Sequence, residues 1–161
     1  MRLLIILSAL VCGLSIARCL PAAWAALLAL TVLALKAEGD SRRDPLTGLH
    51  NLRALGRRRE KYRRLGVTVV YLDINDLKRR NDTQGHAAGD DALRRVAEIL
   101  RRLPGDAYRV GGDEFLIIST VPFCWTPPAD LPVSLGIAQG PGRELDALIR
   151  RAEAEMYKNK P

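Results

Sequence analysis

A chain of 161 residues has room for one small domain and an appendage. Its 25 Lys and Arg exceed 18 Asp and Glu for a formal net charge of +7, which raises nucleic acid as a partner. The arginine-rich stretch has no aromatic interleaving and no reading module, so that class is set aside. Cys12, Cys19 and Cys124 make no disulfide framework, as suits a reduced compartment.

In chain order, residues 3–17 and 19–35 carry no charge, and only Arg18 and Pro21 break the stretch. A spanning helix needs about 20 apolar residues, so each half is short and the whole is long for one untilted span. Residues 1–36 therefore read as a transmembrane segment: a helical hairpin turning at residues 18–21, or one span plus an interfacial piece. A cleaved leader ending near Ala17 is a third reading. Lys36, Arg42, Arg43 and the basic run from Arg53 to Arg64 follow, and positive residues favour the cytoplasmic side. Their other use is a solvated helix face against anionic membrane lipid. Residues 37–43 form a polar linker.

A basic helix is expected over about residues 51–64. The β-branched run at residues 67–72 predicts a buried strand ending at Asp73, with a short helix near residues 76–81 after it. Asp90 marks the start of another helix, since Leu93, Val96, Ala97 and Leu100 fall at i, i+3, i+4 and i+7. Pro104 and Gly105 stop it. Strand-like flanks around Gly111 and Gly112 predict a hairpin, followed by a proline-rich loop over residues 120–132. A strand at 133–138 and a helix at about 143–158 close an α/β sandwich.

Gly111, Gly112, Asp113, Glu114 and Phe115 carry the densest chemical signal. Two glycines allow a tight turn and leave room for a bulky ligand, and two acids suit a hard cation bridging protein and phosphate. A plain surface turn with solvated acids is the alternative. Asp73, at the end of a buried strand, is a second candidate cation ligand, with a turn or cap acid as its alternative. His86 reads as structural, and no other residue completes a histidine-based catalytic set.

Taken together, Asp44-Pro45-Leu46-Thr47-Gly48-Leu49 with Asn51, the strand ending in Asp73, Asn75 to Lys78, Asn81-Asp82, Gly85 to Asp90 and Gly111 to Phe115 resemble the GGDEF family. The resemblance extends through Val133 to Ala138 and Ala152 to Lys160, covering residues 44–161. These are the diguanylate cyclases, which join two GTP into cyclic di-GMP.

The resemblance implies the palm-like sheet of nucleotide cyclases, flanked by helices. It implies Mg²⁺ or Mn²⁺ held by Asp73, Asp113, Glu114 and the backbone of Ile74. Asp113 and Glu114 would act in catalysis, Glu114 as a further ligand or a base. Asn81 and Asp90 would read guanine, although Asp90 has a rival use as helix N-cap. Lys78, Lys160 and Gly112 would meet the rest of GTP, unless the lysines are surface cations.

Several positions depart from the family. Leu77 replaces a phenylalanine beside the base, and Asn75 a second strand-end aspartate. The sequence reaches Pro161 without the arginine expected four positions after Lys160, so a weaker hold on γ-phosphate is expected. Only Arg102 remains of the inhibitory Arg-x-x-Asp pattern, because Gly105 stands at the acid's position and Asp106 is displaced by one; weak product feedback follows. A long helix usual between residues 119 and 133 is missing, and Phe123 and Trp125 are expected to fill part of its place, at some cost in stability.

The leading expectation is a cyclase working as a homodimer, anchored in the bacterial inner membrane with its domain in the cytoplasm. A weakly active protein that binds GTP or pairs with another cyclase as a heterodimer is the second reading. A small membrane interaction protein is the third.

Overall fold

The computed structural model describes residues 24–33 and 42–161. Residues 24–33 form a helix with Trp24, Leu27, Leu28, Leu30 and Leu33 exposed. Among the described residues, no helix is long and apolar enough to cross a membrane. The rest of the expected spanning segment, residues 1–23 and 34–36, lies outside the described residues, as does the linker up to residue 41. The chain divides into two units after Ser41.

The second unit is an α+β domain. In chain order it comprises β1 (His50–Asn51), α1 (Leu52–Tyr62), β2 (Gly66–Ile74), α2 (Leu77–Gln84), α3 (His86–Leu100), β3 (Asp106–Arg109), β4 (Glu114–Ser119) and β5 (Val133–Pro141). A short 3-10 turn (Gly142–Glu144) then leads into α4 (Leu145–Lys158). The five strands lie in the order β1-β3-β4-β2-β5, with β1 parallel to β3 and the other pairs antiparallel.

The apolar run of β2 is explained by its central place: it is covered on both faces, so no polar alternation is needed. Val67, Val69 and Tyr71 enter the core beneath α1 and α4, built with Ala54, Leu55, Tyr62, Leu148, Ala152 and Met156. Val70, Leu72 and Ile74 enter the opposite core, built with Leu93, Val96, Ala97 and Leu100 of α3. The sheet thus carries two hydrophobic layers, and the chemistry-bearing residues gather where β2 and β4 meet the turn between β3 and β4.

Phe123, Trp125 and Leu131 of the 120–132 loop pack on the α3 side, against the face that carries Val133, Leu135 and Ile137. Leu131 is buried, but those three β5 side chains remain half-buried. The loop therefore covers part of the face that the absent helix would cover.

Element limits differ from expectation at three places. α2 extends to Gln84 and α3 already starts at His86, because Gly85 at φ 85° makes the turn between them. Asp90 accordingly lies inside α3 and is not its N-cap; Gly85 occupies that position, with no side chain to give. β5 continues to Pro141, and a 3-10 turn delays α4 until Leu145.

Candidate active site

The turn over residues 110–113 is held from below by Arg109. Its guanidinium donates to the Gly112 carbonyl at 2.6 and 3.2 Å and to Asp44 Oδ1 at 3.0 Å. Asp44 in turn accepts from the Thr47 amide at 2.8 Å and hydroxyl at 2.6 Å. Burial alone would raise the Asp44 carboxyl, but the bonds from Thr47 and Arg109 outweigh it and hold it below the usual range. The opening motif is thereby fastened to the glycine turn. A Cβ on Gly111 would meet Glu114 Oε2 at 2.4 Å, so glycine lets that carboxylate lie close to the backbone. A Cβ on Gly112 would have open space.

Asp73 and Glu114 are paired in the β2–β4 register, and the Ile74 amide donates to the Asp113 carbonyl at 3.2 Å. Asp73 is only 3% exposed. Its Oδ1 has no directed hydrogen bond, while Lys160 Nζ stands 2.9 Å away as an ion pair. Bonding to Asp73 holds the Lys160 ammonium above the ordinary lysine range, with the Asp113 charge adding to it. The Glu114 carboxyl is pushed up by burial and by Asp113, Asp73 and Glu153, against a lowering hydrogen bond from the Tyr71 hydroxyl. Asp73, Asp113, Glu114 and Lys160 are thus within electrostatic reach of one another, with Glu153 acting on Glu114 from the side.

These residues fit a magnesium-class cation. Asp73 offers a buried carboxylate whose Oδ1 is answered only by the Lys160 ion pair, so a cation there would take the place of that ammonium, and the nearby acids make that corner attractive to positive charge. Among the described residues, no three His, Cys, Asp or Glu side chains converge into a ready-made cage. Mg²⁺ needs none, since it commonly takes one or two carboxylates and completes its shell with water and substrate phosphates.

Asn81 and Asp90 lie on the adjoining helices α2 and α3. Asn81 Oδ1 is buried without a hydrogen-bond partner and fits because residue 89 is glycine: a Cβ there would meet it at 1.9 Å. Asp90 is half-buried, with Arg94 3.8 Å from its carboxylate. Lys78 is exposed at the start of α2, and Leu77 packs on the α3-side core. Arg102 is exposed, and Asp106 is occupied elsewhere, by Arg58 at 2.8 Å and Lys61 at 2.6 Å. Sequence reasoning missed Arg109 and Tyr71. Arg109 acts on Asp44 across 65 positions, which no local pattern records, and Tyr71 looks like one more apolar strand residue.

Comparison with known proteins agrees with this geometry. Residues 41–122 match the family described as diguanylate cyclase, GGDEF domain. An uncharacterised Streptomyces griseus protein from the hutH 5′ region is 36% identical over 73% of this chain and 61% of its own length. Diguanylate cyclase VdcA of Vibrio cholerae is 33% identical over 70% of this chain and 33% of its own. The chain thus spans less than two thirds of these relatives. Among solved structures, a microbial GGDEF domain described in a novel interaction mode with cyclic di-GMP superposes with a TM-score of 0.62. It is 31% identical, covering 73% of this chain and 92% of that one. With that family match spanning half of the chain and the sheet superposing on a GGDEF domain, the chain belongs to the GGDEF family.

Proposed function

We propose that this chain is a diguanylate cyclase, condensing two GTP into cyclic di-GMP and two pyrophosphates with Mg²⁺ or Mn²⁺. The observation that carries the reading is the gathering of Asp73, Asp113, Glu114 and Lys160 at the shared end of β2 and β4. Asp73, Asp113, Glu114 and the Ile74 carbonyl would hold the metal. When bound, the metal neutralises charge on the α-phosphate and lowers the pKa of the attacking 3′-hydroxyl.

The chain's own residues supply the rest. Asn81 would donate and accept through its amide along the guanine edge, and the Asp90 carboxylate would accept from the guanine N–H groups. Lys78 and Lys160 neutralise triphosphate oxygens, and Gly112 leaves the backbone open for their approach. Glu114, whose carboxyl is pushed up by burial and by the neighbouring acids, would accept the 3′-hydroxyl proton at a carboxylate oxygen where it does not serve as a metal ligand. Each domain holds one GTP, so a homodimer completes the reaction, and a heterodimer with another GGDEF protein has the same geometry available.

Residues 1–36 anchor the domain at the bacterial inner membrane with the domain in the cytoplasm; their uncharged runs and the basic residues after them support this reading. The deciding experiment gives GTP and Mg²⁺ to the detergent-purified chain and separates products by mass-resolved chromatography. Cyclic di-GMP from the native chain and none from Asp113→Ala is expected. No product from the native chain, with GTP still bound, would overturn catalysis.

A further inference from the structure

Lys160 stands just past α4, and β5 fixes where its side chain starts. Asn159 donates to the Leu135 carbonyl at 2.9 Å, and its own carbonyl accepts from the Ser134 hydroxyl at 3.4 Å. The Lys160 amide donates to the Tyr157 carbonyl at 3.4 Å. The backbone is thus tied down, whereas the Lys160 side chain is 38% exposed. Its ammonium lies 2.9 Å from Asp73 Oδ1 and 5.8 Å from the centre of the Tyr157 ring.

Asp73 is the reverse case. Its side chain is only 5% exposed, and Oδ1 makes no directed hydrogen bond. A buried carboxylate left without a partner is strongly destabilising, and the Lys160 ammonium is the group that answers this one. Lys160 therefore sits on the carboxylate that the metal of the proposed reaction would use, and a divalent cation arriving there repels it. An ammonium is a compact charge with three donors on a flexible four-carbon stem. Being partly exposed, it can swing away while the core stays as it is.

We propose that Lys160 is a displaceable placeholder for the metal: it closes on Asp73 before metal binds and turns to the nucleotide triphosphate once a divalent cation arrives. The assignment rests on the metal and GTP sites of the proposed function, and adds that one side chain makes the two depend on each other. Apparent metal affinity is lowered by the fraction of molecules in which the carboxylate is open. A pair closed in about nine molecules of ten lowers it about tenfold. Triphosphate, in turn, meets a free ammonium only where metal has displaced it, so each favours the binding of the other.

Manganese alone is the first probe, because the free ion gives a paramagnetic resonance signal that is lost on binding. Mn²⁺ is titrated, without nucleotide, into the full-length chain, Lys160→Gln and Lys158→Gln. Lys158 is exposed at the end of α4 and has no part in the Asp73 pair, so it corrects for the loss of one positive charge. Lys160→Gln should bind Mn²⁺ about tenfold more tightly than the native chain, and Lys158→Gln within about twofold of it. Without metal, Lys160→Gln should melt lower, and the same Mn²⁺ concentration should raise its melting temperature more than that of the native chain. A lysine that served only the fold would leave metal affinity unchanged or weakened by its loss.

The link to nucleotide is read with 3′-deoxy-GTP, which lacks the attacking hydroxyl. Lys160→Gln should weaken its binding by about fivefold or more at saturating Mn²⁺, and by less than about twofold without metal. If circular dichroism shows Lys160→Gln unfolded, Lys160→Arg takes its place. A guanidinium fork holds a carboxylate by two bonds, so that variant should bind Mn²⁺ more weakly than the native chain. Mn²⁺ binding by the native chain, with Lys160→Gln no tighter than Lys158→Gln, would overturn the placeholder and leave the cyclase reading standing. Equal loss of 3′-deoxy-GTP binding with and without metal would overturn the link to triphosphate. No Mn²⁺ binding by any of these chains would overturn the metal site itself, and the placeholder with it.

Discussion

Arg109 joins two groups that the sequence separates widely, the Asp44 carboxylate and the Gly112 carbonyl, with side chains of Arg109 and Asp44 only 15% and 17% exposed. Removing it leaves a partly buried carboxylate and a carbonyl without their donor. Arg109→Ala should cost about 2 kcal/mol in a urea titration, in the range for hydrogen bonds to charged groups. Arg109→Lys should recover little, because an ammonium cannot span both acceptors as the planar fork does. Asp106 makes a related prediction about acid. Burial would raise its carboxyl, but Lys61, Tyr62 and Arg58 hold it below the ordinary value of 3.8, as Thr47 and Arg109 do for Asp44. A depressed folded pKa gives stability that is present above the unfolded value and lost as pH falls through the folded one. The melting temperature should hold steady down to about pH 4 and drop below it. Asp106→Asn should lower the neutral melting temperature and flatten that acid limb; an unchanged limb would remove Asp106 from the account. Glu114 has the opposite sign, since its raised carboxyl favours the fold below its unfolded pKa and loses that contribution as pH rises through its folded value.

Among the elements, β5 and α4 show how little slack the domain has on the α1–α4 side. A Cβ on Gly136 would meet the Ala152 carbonyl at 2.0 Å and the Met156 amide at 2.4 Å, both backbone atoms that cannot swing aside. The same helix protects the outer edge of β5: Glu155 accepts from the Ile137 amide at 2.9 Å, and Asn159 donates to the Leu135 carbonyl at 2.9 Å. Gly136→Ala should therefore destabilise by about 3 kcal/mol, the upper part of the range for overpacking. Gly112→Ala is the useful contrast, since open space surrounds its added methyl. It should leave stability within about 0.5 kcal/mol while lowering cyclase activity, read by denaturation and product assay on the same sample. A loss of both together would make Gly112 a folding residue instead of a substrate-facing one. The sequence made β2, the glycine hairpin and α3 legible because each has an apolar period or a turn residue of its own. The α2–α3 boundary was less so, since the polar run Asn81 to Gln84 carries no apolar period yet continues α2 up to the single Gly85 that divides the two helices. The Lys160–Asp73 contact was hidden for another reason: it joins α4's exit to a strand 87 positions earlier, and only the closed sheet brings them together.

For the whole molecule the decisive property is that one domain gathers one set of acids, whereas the proposed reaction needs two reacting GTP. If each 3′-hydroxyl attacks the phosphate held by the partner, a defective protomer spoils every dimer it enters. The chain has the means to hold its half of the site without a partner, since Arg109, Asp44 and the β2–β4 ladder all lie within one domain. Dimerisation would then add the second substrate without having to build the first pocket. Mixing native chain with Asp113→Ala before reconstitution tests this arrangement directly. Asp113 lies in the turn, only half-buried, so its loss should leave the domain able to fold and pair. With random pairing at fixed total protein, activity should fall as the square of the native fraction, so an equal mixture retains about a quarter of full activity, provided a one-sided dimer has lost the orders of magnitude usual for removal of a metal-site acid. Activity proportional to the native fraction would mean that each domain completes the chemistry alone. Specific activity should also rise with protein concentration until dimers saturate, because the population of the assembled site follows mass action.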